Sequence, residues 1–168
     1  MPLIVHPDGV IDWRGRLLRC ALGRSGIAVD KREGDGATPA GRFPLRRVLY
    51  RADRVPAPRS TLPASPIAET DGWCDDPADA RYNRQVTLPW PGRHETLWRE
   101  DGLYDLVVVV GHNDDPPVPH RGSAIFIHVA RPGYAPTEGC VALALDDLRE
   151  IVEELAPDDE IRIVAPAP

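Results

Sequence analysis

Lysine is almost absent from this sequence. Lys31 is the only lysine among the 20 basic residues, so arginine carries nearly all of the positive charge. The guanidinium group binds carboxylates through two parallel hydrogen bonds, and this composition favours recognition of carboxylates over loose attraction of anions. The 26 acidic residues give a formal net charge of −6. A nucleic-acid partner requires a basic face, and the sequence therefore predicts none.

Long apolar segments are also missing. No run approaches the roughly 18 residues that a transmembrane helix needs, so we expect no insertion into a membrane. The opening residues, Met1 to His6, lack the charged and apolar regions of a signal peptide. This pattern predicts a chain that stays in the cytoplasm or leaves it by another route.

Cysteine occurs only at positions 20, 74 and 140, without a C-x-x-C pair. A structural zinc site is therefore not expected. A disulfide between Cys20 and Cys74 stays open, although the small neighbouring residues favour ordinary buried thiols. The acidic residues after His112 are typical of a turn rather than of metal ligands. The sequence predicts neither a metal nor another cofactor.

The apolar runs are short and are separated by many of the 19 prolines and 14 glycines. A chain of 168 residues is long enough for one domain with a real core, and we expect a single domain over residues 1–168. The pattern predicts an ordered loop over residues 31–42, irregular structure over 53–100 and a helical turn at 95–100. It predicts strands at residues 3–5, 17–22, 26–29, 43–50, 106–110, 124–129 and 159–164.

One helix is expected after Cys140. Apolar residues at 148, 151, 152 and 155 recur at helical spacing, and Pro157 ends the segment. Asp146 and Asp147 suit the N-terminal turn because they oppose the helix dipole. Many short strands with one helix indicate a mostly β fold.

A histidine and a cysteine offer the parts of an acyl-transfer site. His128 ends the strand-like run that begins at residue 124, and Cys140 follows Gly139 directly. A free thiol is only slightly ionised at neutral pH, but a nearby imidazole can accept its proton. Backbone N–H groups beside a glycine can face the developing oxyanion. The competing interpretation is a buried thiol and a core histidine that never meet.

Three blocks of sequence resemble the L,D-transpeptidase (YkuD) family. Residues 33–44 resemble its Thr-Pro-x-Gly-x-Phe segment, and residues 125–129 resemble its strand ending in histidine. Residues 137–141, Thr-Glu-Gly-Cys-Val, resemble its Ser/Thr-His-Gly-Cys block, which precedes a helix. The three blocks occur in the family's order, and the likeness covers roughly residues 1–165.

The resemblance implies a β-sandwich or barrel with one main helix after the cysteine. It implies an enzyme of the bacterial cell wall that acts on peptidoglycan stem peptides, with a donor tetrapeptide and an amine acceptor. Cys140 would attack the L-centre carbonyl of diaminopimelate and release D-Ala, and His128 would act as base. The N–H groups of Gly139 and Cys140 would form the oxyanion hole. The periplasm or cell envelope is the compartment that the family implies.

Two positions depart from the family pattern. Glu138 replaces the histidine before the glycine, and Ala142 stands where the family has arginine or asparagine. Arg131 is our candidate to hold the donor carboxylate instead. The short loop between His128 and Cys140 resembles that of a small single-domain branch, which suggests a 1→3 link to an L-Ala amine as an alternative to a 3→3 link.

Other residues are candidates for substrate binding. His112 is either a substrate contact or an exposed turn residue. Tyr134 lies on the loop that leads into the cysteine, and Thr137 could bond the histidine or the loop backbone. Glu138 could receive a cationic amine or face solvent. Trp73, Tyr82 and Asn83 could wall a cleft, although packing of the loop onto the sheet explains the two aromatic residues equally well.

Two other functions are consistent with the same residues. The first is hydrolysis by an L,D-carboxypeptidase or by a cytoplasmic peptidase that recycles wall fragments. The second is a non-catalytic module that binds a wall peptide. No feature of the sequence indicates an oligomeric state.

Overall fold

The computed structural model describes all of residues 1–168. It contains fourteen strands, one α-helix and a short 3-10 turn at Pro132–Tyr134. The helix α1 is Leu145–Glu154. The strands are Leu3–His6 (β1), Val10–Trp13 (β2), Arg16–Arg19 (β3), Ile27–Ala28 (β4), Thr38–Pro39 (β5), Gly41–Tyr50 (β6), Ala64–Pro66 (β7), Asp71–Cys74 (β8), Arg84–Thr87 (β9), His94–Thr96 (β10), Leu106–Val110 (β11), Phe126–Val129 (β12), Val141–Leu143 (β13) and Glu160–Ile163 (β14).

A large sheet organises the fold. Its strands run in the order β13-β12-β11-β6-β14-β1-β2-β3, and β7 pairs with β6 beside this path. The two ends approach each other, because Ala21 and Ala142 exchange backbone hydrogen bonds of 2.7 and 3.0 Å. The sheet is therefore nearly closed, like a barrel. The mostly β class with one helix after the cysteine is confirmed.

The central strand β11 is buried along its whole length, as its continuous valine run predicts. Its side chains alternate between two cores. Val108 and Val110 belong to the core that also contains the helix residues Leu148 and Ile151. Val107 and Val109 face a second core that contains Phe126, Trp73 and Cys140. The sheet thus separates a layer under the helix from a layer that holds the cysteine.

Helix α1 follows β13 and covers the first of these cores. It buries Leu148, Ile151 and Val152, and each buried apolar side chain of this size contributes roughly 1.5–3 kcal/mol. No side chain caps its N-terminus, but Asp146 and Asp147 lie in the first turn and oppose the dipole. The helical prediction, including its end before Pro157, is confirmed.

Residues 51–105 form the segment between β6 and β11, and we call them the connecting segment. It contains no helix, in agreement with its prolines, but it has more order than the sequence indicates. Strands β10, β8 and β9 make a small three-stranded sheet within it. The helical turn predicted at residues 95–100 is wrong, since β10 occupies His94–Thr96. The strand β2 near the start of the chain is also absent from the prediction.

The three cysteines are all free, so Cys20 and Cys74 do not form a disulfide. No group of three or more His, Cys, Asp or Glu side chains is arranged to hold a metal ion. None of the helices has the length and apolar character that a bilayer span requires.

Candidate active site

Register between two parallel strands brings His128 and Cys140 to the same face of the sheet. Ile127 pairs with Val141 and His128 with Ala142. Cys140 precedes Ala142 by two residues, and residues two apart in a strand share a face. The Phe126 N–H donates to the Cys140 Sγ at 3.4 Å, which fixes the sulfur beside β12. The side chains of His128, on β12, and Cys140, directly before β13, are therefore diagonal neighbours on one face of the sheet.

His128 has its ring oriented by the backbone. The Nδ1 atom lies 2.9 Å from the Val129 carbonyl oxygen, which can only accept a hydrogen bond. Nδ1 therefore carries the proton, and Nε2 keeps the lone pair that a base requires. Burial lowers the pKa of His128 to about 4, and the charges of Arg99 and Arg131 act in the same direction. The imidazole is neutral at pH 7 and ready to accept a proton.

Cys140 is 9 % exposed and is one of the residues that line a cavity. Its thiol donates to the Ala124 carbonyl oxygen at 3.2 Å. Burial raises the pKa of Cys140 to about 12, and the charge of Glu95 adds to this effect. The resting pair is therefore a neutral thiol beside a neutral imidazole, rather than a thiolate and an imidazolium.

Thr137 holds the loop that carries the cysteine. Its hydroxyl accepts the Gly139 N–H at 3.1 Å and donates to the Cys140 carbonyl at 2.7 Å. The Gly139 N–H is thus occupied in the resting structure, and its place in the oxyanion hole stays a prediction. The Cys140 N–H has no acceptor within the protein and is the donor left to face an oxyanion.

Gly139 serves a different purpose at this position. Its φ of +144° lies where other residues are strained, and an added Cβ would come 2.8 Å from the Ala37 carbonyl oxygen. The glycine allows the cysteine loop to pass directly over residues 36–38. Residues 36–38, which belong to the segment that resembles the family's Thr-Pro motif, therefore support the loop that carries the Cys140 thiol.

A cavity of about 330 Å³ joins these groups. Four parts of the chain contribute to its wall: residues 31–34, the connecting segment, residues 123–128, and the loop into the cysteine. The lining residues are Lys31, Glu33, Gly34, Asp75, Glu95, Arg99, Leu103, Tyr104, Ser123, Ala124, Ile125, His128, Arg131, Ala135, Pro136, Thr137, Glu138, Gly139 and Cys140.

A buried pair from the connecting segment lies beside the candidate catalytic groups. The Tyr104 hydroxyl donates to Glu95 at 2.7 Å, and its ring meets the His128 ring edge-on with 5.3 Å between centroids. Arg99 lies over the Tyr104 ring at 5.3 Å and pairs with Asp101. Burial raises the pKa of Glu95 and of Tyr104. Tyr104 thus restricts the imidazole through this ring contact.

Two further acids of the wall, Glu33 and Asp75, have partners within the protein. Glu33 accepts hydrogen bonds from the hydroxyls of Tyr82, at 2.6 Å, and Ser123, at 2.5 Å. Asp75 pairs with Arg93 at 3.1 Å. Lys31 lines the same cavity, but its ammonium group is paired with Asp35 outside the lining.

Two of the predicted substrate contacts line the cavity with their charges at its rim. Arg131 is exposed and forms no ion pair or hydrogen bond through its side chain, so its guanidinium is available to a carboxylate. Glu138 is also exposed, and it pairs with Arg24 at 3.0 Å. Its carboxylate is therefore already balanced by a cation.

The structure does not bring His112 and Tyr134 into the cavity lining. His112 is half-buried and meets the Phe43 ring edge-on at 5.1 Å, with its Nδ1 atom buried and without a partner. It is therefore not the exposed turn residue of the alternative interpretation. Tyr134 stacks under the Arg19 guanidinium at 4.3 Å. Both side chains pack on neighbours of the site, and a direct contact with substrate stays a prediction.

Sequence reasoning missed Lys31, Glu95, Arg99 and Tyr104 as members of the site. Three of them come from the connecting segment, which has no periodic pattern to place its side chains. The connecting segment does form part of the cavity wall, but Trp73, Tyr82 and Asn83 are not among the residues that line it. Trp73 packs on Phe126 with 5.1 Å between ring centroids, and Asn83 is buried behind the wall.

The comparison with protein families agrees with this arrangement. The family model described as the L,D-transpeptidase catalytic domain, YkuD, matches residues 3–163. Neither the curated proteins nor the solved structures contain a match to the chain. Because the family match spans nearly the whole sequence and includes both the strand of His128 and the loop of Cys140, the chain belongs to the L,D-transpeptidase catalytic domain (YkuD) family.

Proposed function

We propose that this chain is a cysteine-dependent L,D-transpeptidase that acts on peptidoglycan stem peptides. The observation that carries the proposal is the position of His128 and Cys140 on one face of the sheet, in the wall of a single cavity. His128 lies on β12, and Cys140 directly precedes the parallel strand β13. A positioned thiol, a neutral imidazole and one free N–H donor suffice for acyl transfer without a cofactor.

The first half of the reaction forms a thioester. The Cys140 sulfur attacks the carbonyl carbon at the L-centre of diaminopimelate, and its proton moves to Nε2 of His128. The Cys140 N–H faces the negative charge that develops on the carbonyl oxygen. When the intermediate collapses, the C–N bond to D-Ala breaks, and His128 returns the proton to the leaving amine.

The second half transfers the acyl group. An amine of another stem peptide attacks the thioester carbon while His128 removes its proton. The new amide bond forms, and the thiolate leaves and regains its proton from His128. An L-centre diaminopimelate acyl group joined to a second diaminopimelate gives a 3→3 crosslink, whereas the L-Ala amine gives a 1→3 crosslink. If water replaces the amine, the enzyme is an L,D-carboxypeptidase.

Charges around the cavity support recognition of a zwitterionic peptide. The unpaired guanidinium of Arg131 suits a carboxylate of the donor. Glu33, Asp75 and Glu95 line the wall, and carboxylates attract an ammonium group before it loses its proton. Thr137 acts through the loop backbone rather than on the substrate.

Incubation of the purified protein with a defined disaccharide tetrapeptide tests the proposal. We expect release of D-Ala and a dimer whose mass and fragmentation identify the acceptor amine, and both products disappear in Cys140→Ala. Free tripeptide without dimer, at any acceptor concentration, assigns a carboxypeptidase instead. A folded wild-type protein that binds the tetrapeptide without turnover assigns a binding module and contradicts the transpeptidase.

We further propose the cell envelope as the site of action, because the substrate is located there. Fractionation of cells that express the chain from its own gene tests this part separately. Recovery of the protein only with the cytoplasm would instead favour the recycling of wall fragments.

A further inference from the structure

A buried asparagine from the connecting segment has all of its hydrogen-bonding groups satisfied. Asn83 is 4 % exposed. Its Oδ1 atom accepts the Trp73 indole N–H and the Ala124 backbone N–H, each at 3.0 Å. Its Nδ2 group donates to the carbonyls of His112 at 3.1 Å and Asn113 at 2.7 Å. A side-chain amide offers two donors and two lone pairs, so none is left for a substrate.

One of these bonds fixes an unusual backbone conformation. Ala124 has a φ of +53°, in the left-handed region that alanine rarely adopts. A conformation of this kind costs roughly 1–3 kcal/mol and persists only where the surroundings hold it. The bond from the Ala124 N–H to Asn83 is such a restraint. Tyr82, the neighbour of Asn83, holds the same stretch because its hydroxyl accepts the Gly122 N–H at 3.0 Å.

Ala124 also contacts the Cys140 sulfur, through its carbonyl group. The Cys140 thiol donates to the Ala124 carbonyl at 3.2 Å, and the Phe126 N–H donates to the sulfur at 3.4 Å. A carbonyl oxygen stabilises the protonated thiol and repels a thiolate, whereas an N–H donor stabilises the thiolate. The direction of the Ala124 carbonyl therefore affects where the thiol proton lies.

We propose that Asn83 is a positioning residue that, through the backbone of Ala124, holds the Cys140 thiol on the Ala124 carbonyl in the resting enzyme. The nucleophile is thereby kept protonated and in one rotamer until His128 removes its proton. Asn83 makes no hydrogen bond to the sulfur and does not line the cavity, so its effect passes through the backbone of one residue, from the N–H to the carbonyl of Ala124.

The variant Asn83→Gly tests this role with little backbone strain, because the φ of +56° at this position suits glycine. The readout is the rate of iodoacetamide alkylation of the Cys140 peptide, followed by mass spectrometry between pH 7 and pH 10. Loss of a hydrogen bond to the neutral thiol lowers its pKa by about one unit, so we expect about tenfold faster alkylation at a fixed pH.

Trp73→Phe is the matched control. It removes the other donor to the Asn83 oxygen and leaves the bond to Ala124, and we expect its alkylation profile to match that of the wild type. The charged and titratable groups near the sulfur, namely Lys31, Glu95, Tyr104 and His128, are the same in both variants. A folded Asn83→Gly protein with the wild-type pH profile overturns the proposal.

A second measurement uses the wild-type protein and covers the case in which Asn83→Gly does not fold. In a sample labelled with ¹³C and ¹⁵N, the Ala124 resonances and the side-chain amide resonances of Asn83 should shift together when iodoacetamide alkylates Cys140. Asn83 resonances that do not change on alkylation contradict the proposal. Neither experiment uses a peptidoglycan substrate, so the outcome is independent of the proposed transpeptidase activity.

Discussion

The two walls of the cavity are built in different ways. On one side, His128 and Cys140 take their positions from a parallel strand pair with continuous register. On the other side, Glu95, Arg99 and Tyr104 come from the connecting segment, which consists mostly of loops around a small sheet. The difference indicates that the sheet fixes the two candidate catalytic groups, and that the connecting segment sets the charges and the space around them.

The two regions also differ in what holds them together. The sheet wall depends on backbone hydrogen bonds and on the apolar cores on its two faces. The connecting segment depends on individual polar side chains, such as Asn83 and the bond from Tyr104 to Glu95. Substitutions on the sheet side should therefore abolish the reaction, and those in the connecting segment should change its rate.

The largest effect is expected for His128→Ala. Without a base for the thiol proton, the release of D-Ala from a tetrapeptide should fall by about 10²- to 10⁴-fold. Product release followed by chromatography measures the rate, and thermal unfolding monitors the fold. A folded variant that keeps more than a tenth of the activity would contradict the assignment of the base to the sheet wall.

Thr137→Val tests the loop that joins the sheet wall to the nucleophile. The isosteric change leaves the Gly139 N–H and the Cys140 carbonyl without the hydroxyl that connects them. We expect kcat to fall about tenfold, because one lost restraint of this kind is worth about 1–2 kcal/mol. Thr137→Ser keeps the hydroxyl and should retain the wild-type rate; an equal loss in both variants would argue against the hydrogen bonds.

Glu95→Gln tests the opposite wall. Burial is the main reason that the pKa of Cys140 is high, and the Glu95 charge is the next one. Its removal should lower the thiol pKa by about half to one unit, which makes alkylation at pH 8 about three- to tenfold faster. Glu138→Gln is the matched control, since this exposed carboxylate lines the same cavity but pairs with Arg24. Slower alkylation in Glu95→Gln would contradict the inference that the Glu95 charge raises the pKa of the Cys140 thiol.

The smallest effect is expected for Asp101→Asn. The hydrogen bond from Arg99 holds the pKa of Asp101 at about 2, below the value near 4 of an unfolded aspartate. Its contribution to stability is therefore complete above about pH 4 and is lost as the pH falls towards 2. Because the pair is partly exposed, the variant should lose less than about 1 kcal/mol of the free energy of unfolding at pH 7.

Urea denaturation at pH 7, pH 5 and pH 3 measures this loss, and the difference from the wild type should shrink at the lowest pH. Asp30→Asn is the control, because the Asp30–Arg32 pair is more exposed and should contribute nothing measurable. A difference that grows as the pH falls would contradict the sign.

The same contrast explains what the sequence could predict. The valine run of β11, the strand that carries His128 and the helix after Cys140 follow local patterns of period 2 or 3.6, and all are present. The place of Cys140 beside His128 follows from three blocks that resemble a family in their order. These features depend on residues close together in the sequence or on a known arrangement.

The rest depends on contacts between distant residues. Tyr104 packs on Phe126 and bonds Glu95 of β10, and no periodic pattern in the sequence predicts these contacts. Asn83 looks like an ordinary turn residue until its four bonds are traced to positions 73, 112, 113 and 124. The oxyanion role of Gly139 stays a prediction from sequence, whereas its positive φ and its close approach to Ala37 become visible only in the structure.

Strand β1 lies beside β14 in parallel, with Leu3 opposite Ile161. Strand β1 therefore has no partner on this side until β14, far along the sequence, has been synthesised. Until then β1 pairs only with β2, in a hairpin, while about 150 further residues are synthesised. Contacts of such long sequence separation are slow to form. The sheet that carries the thiol and the imidazole should thus close only after β14 has been synthesised, and a chain truncated before residue 160 should fail to complete it.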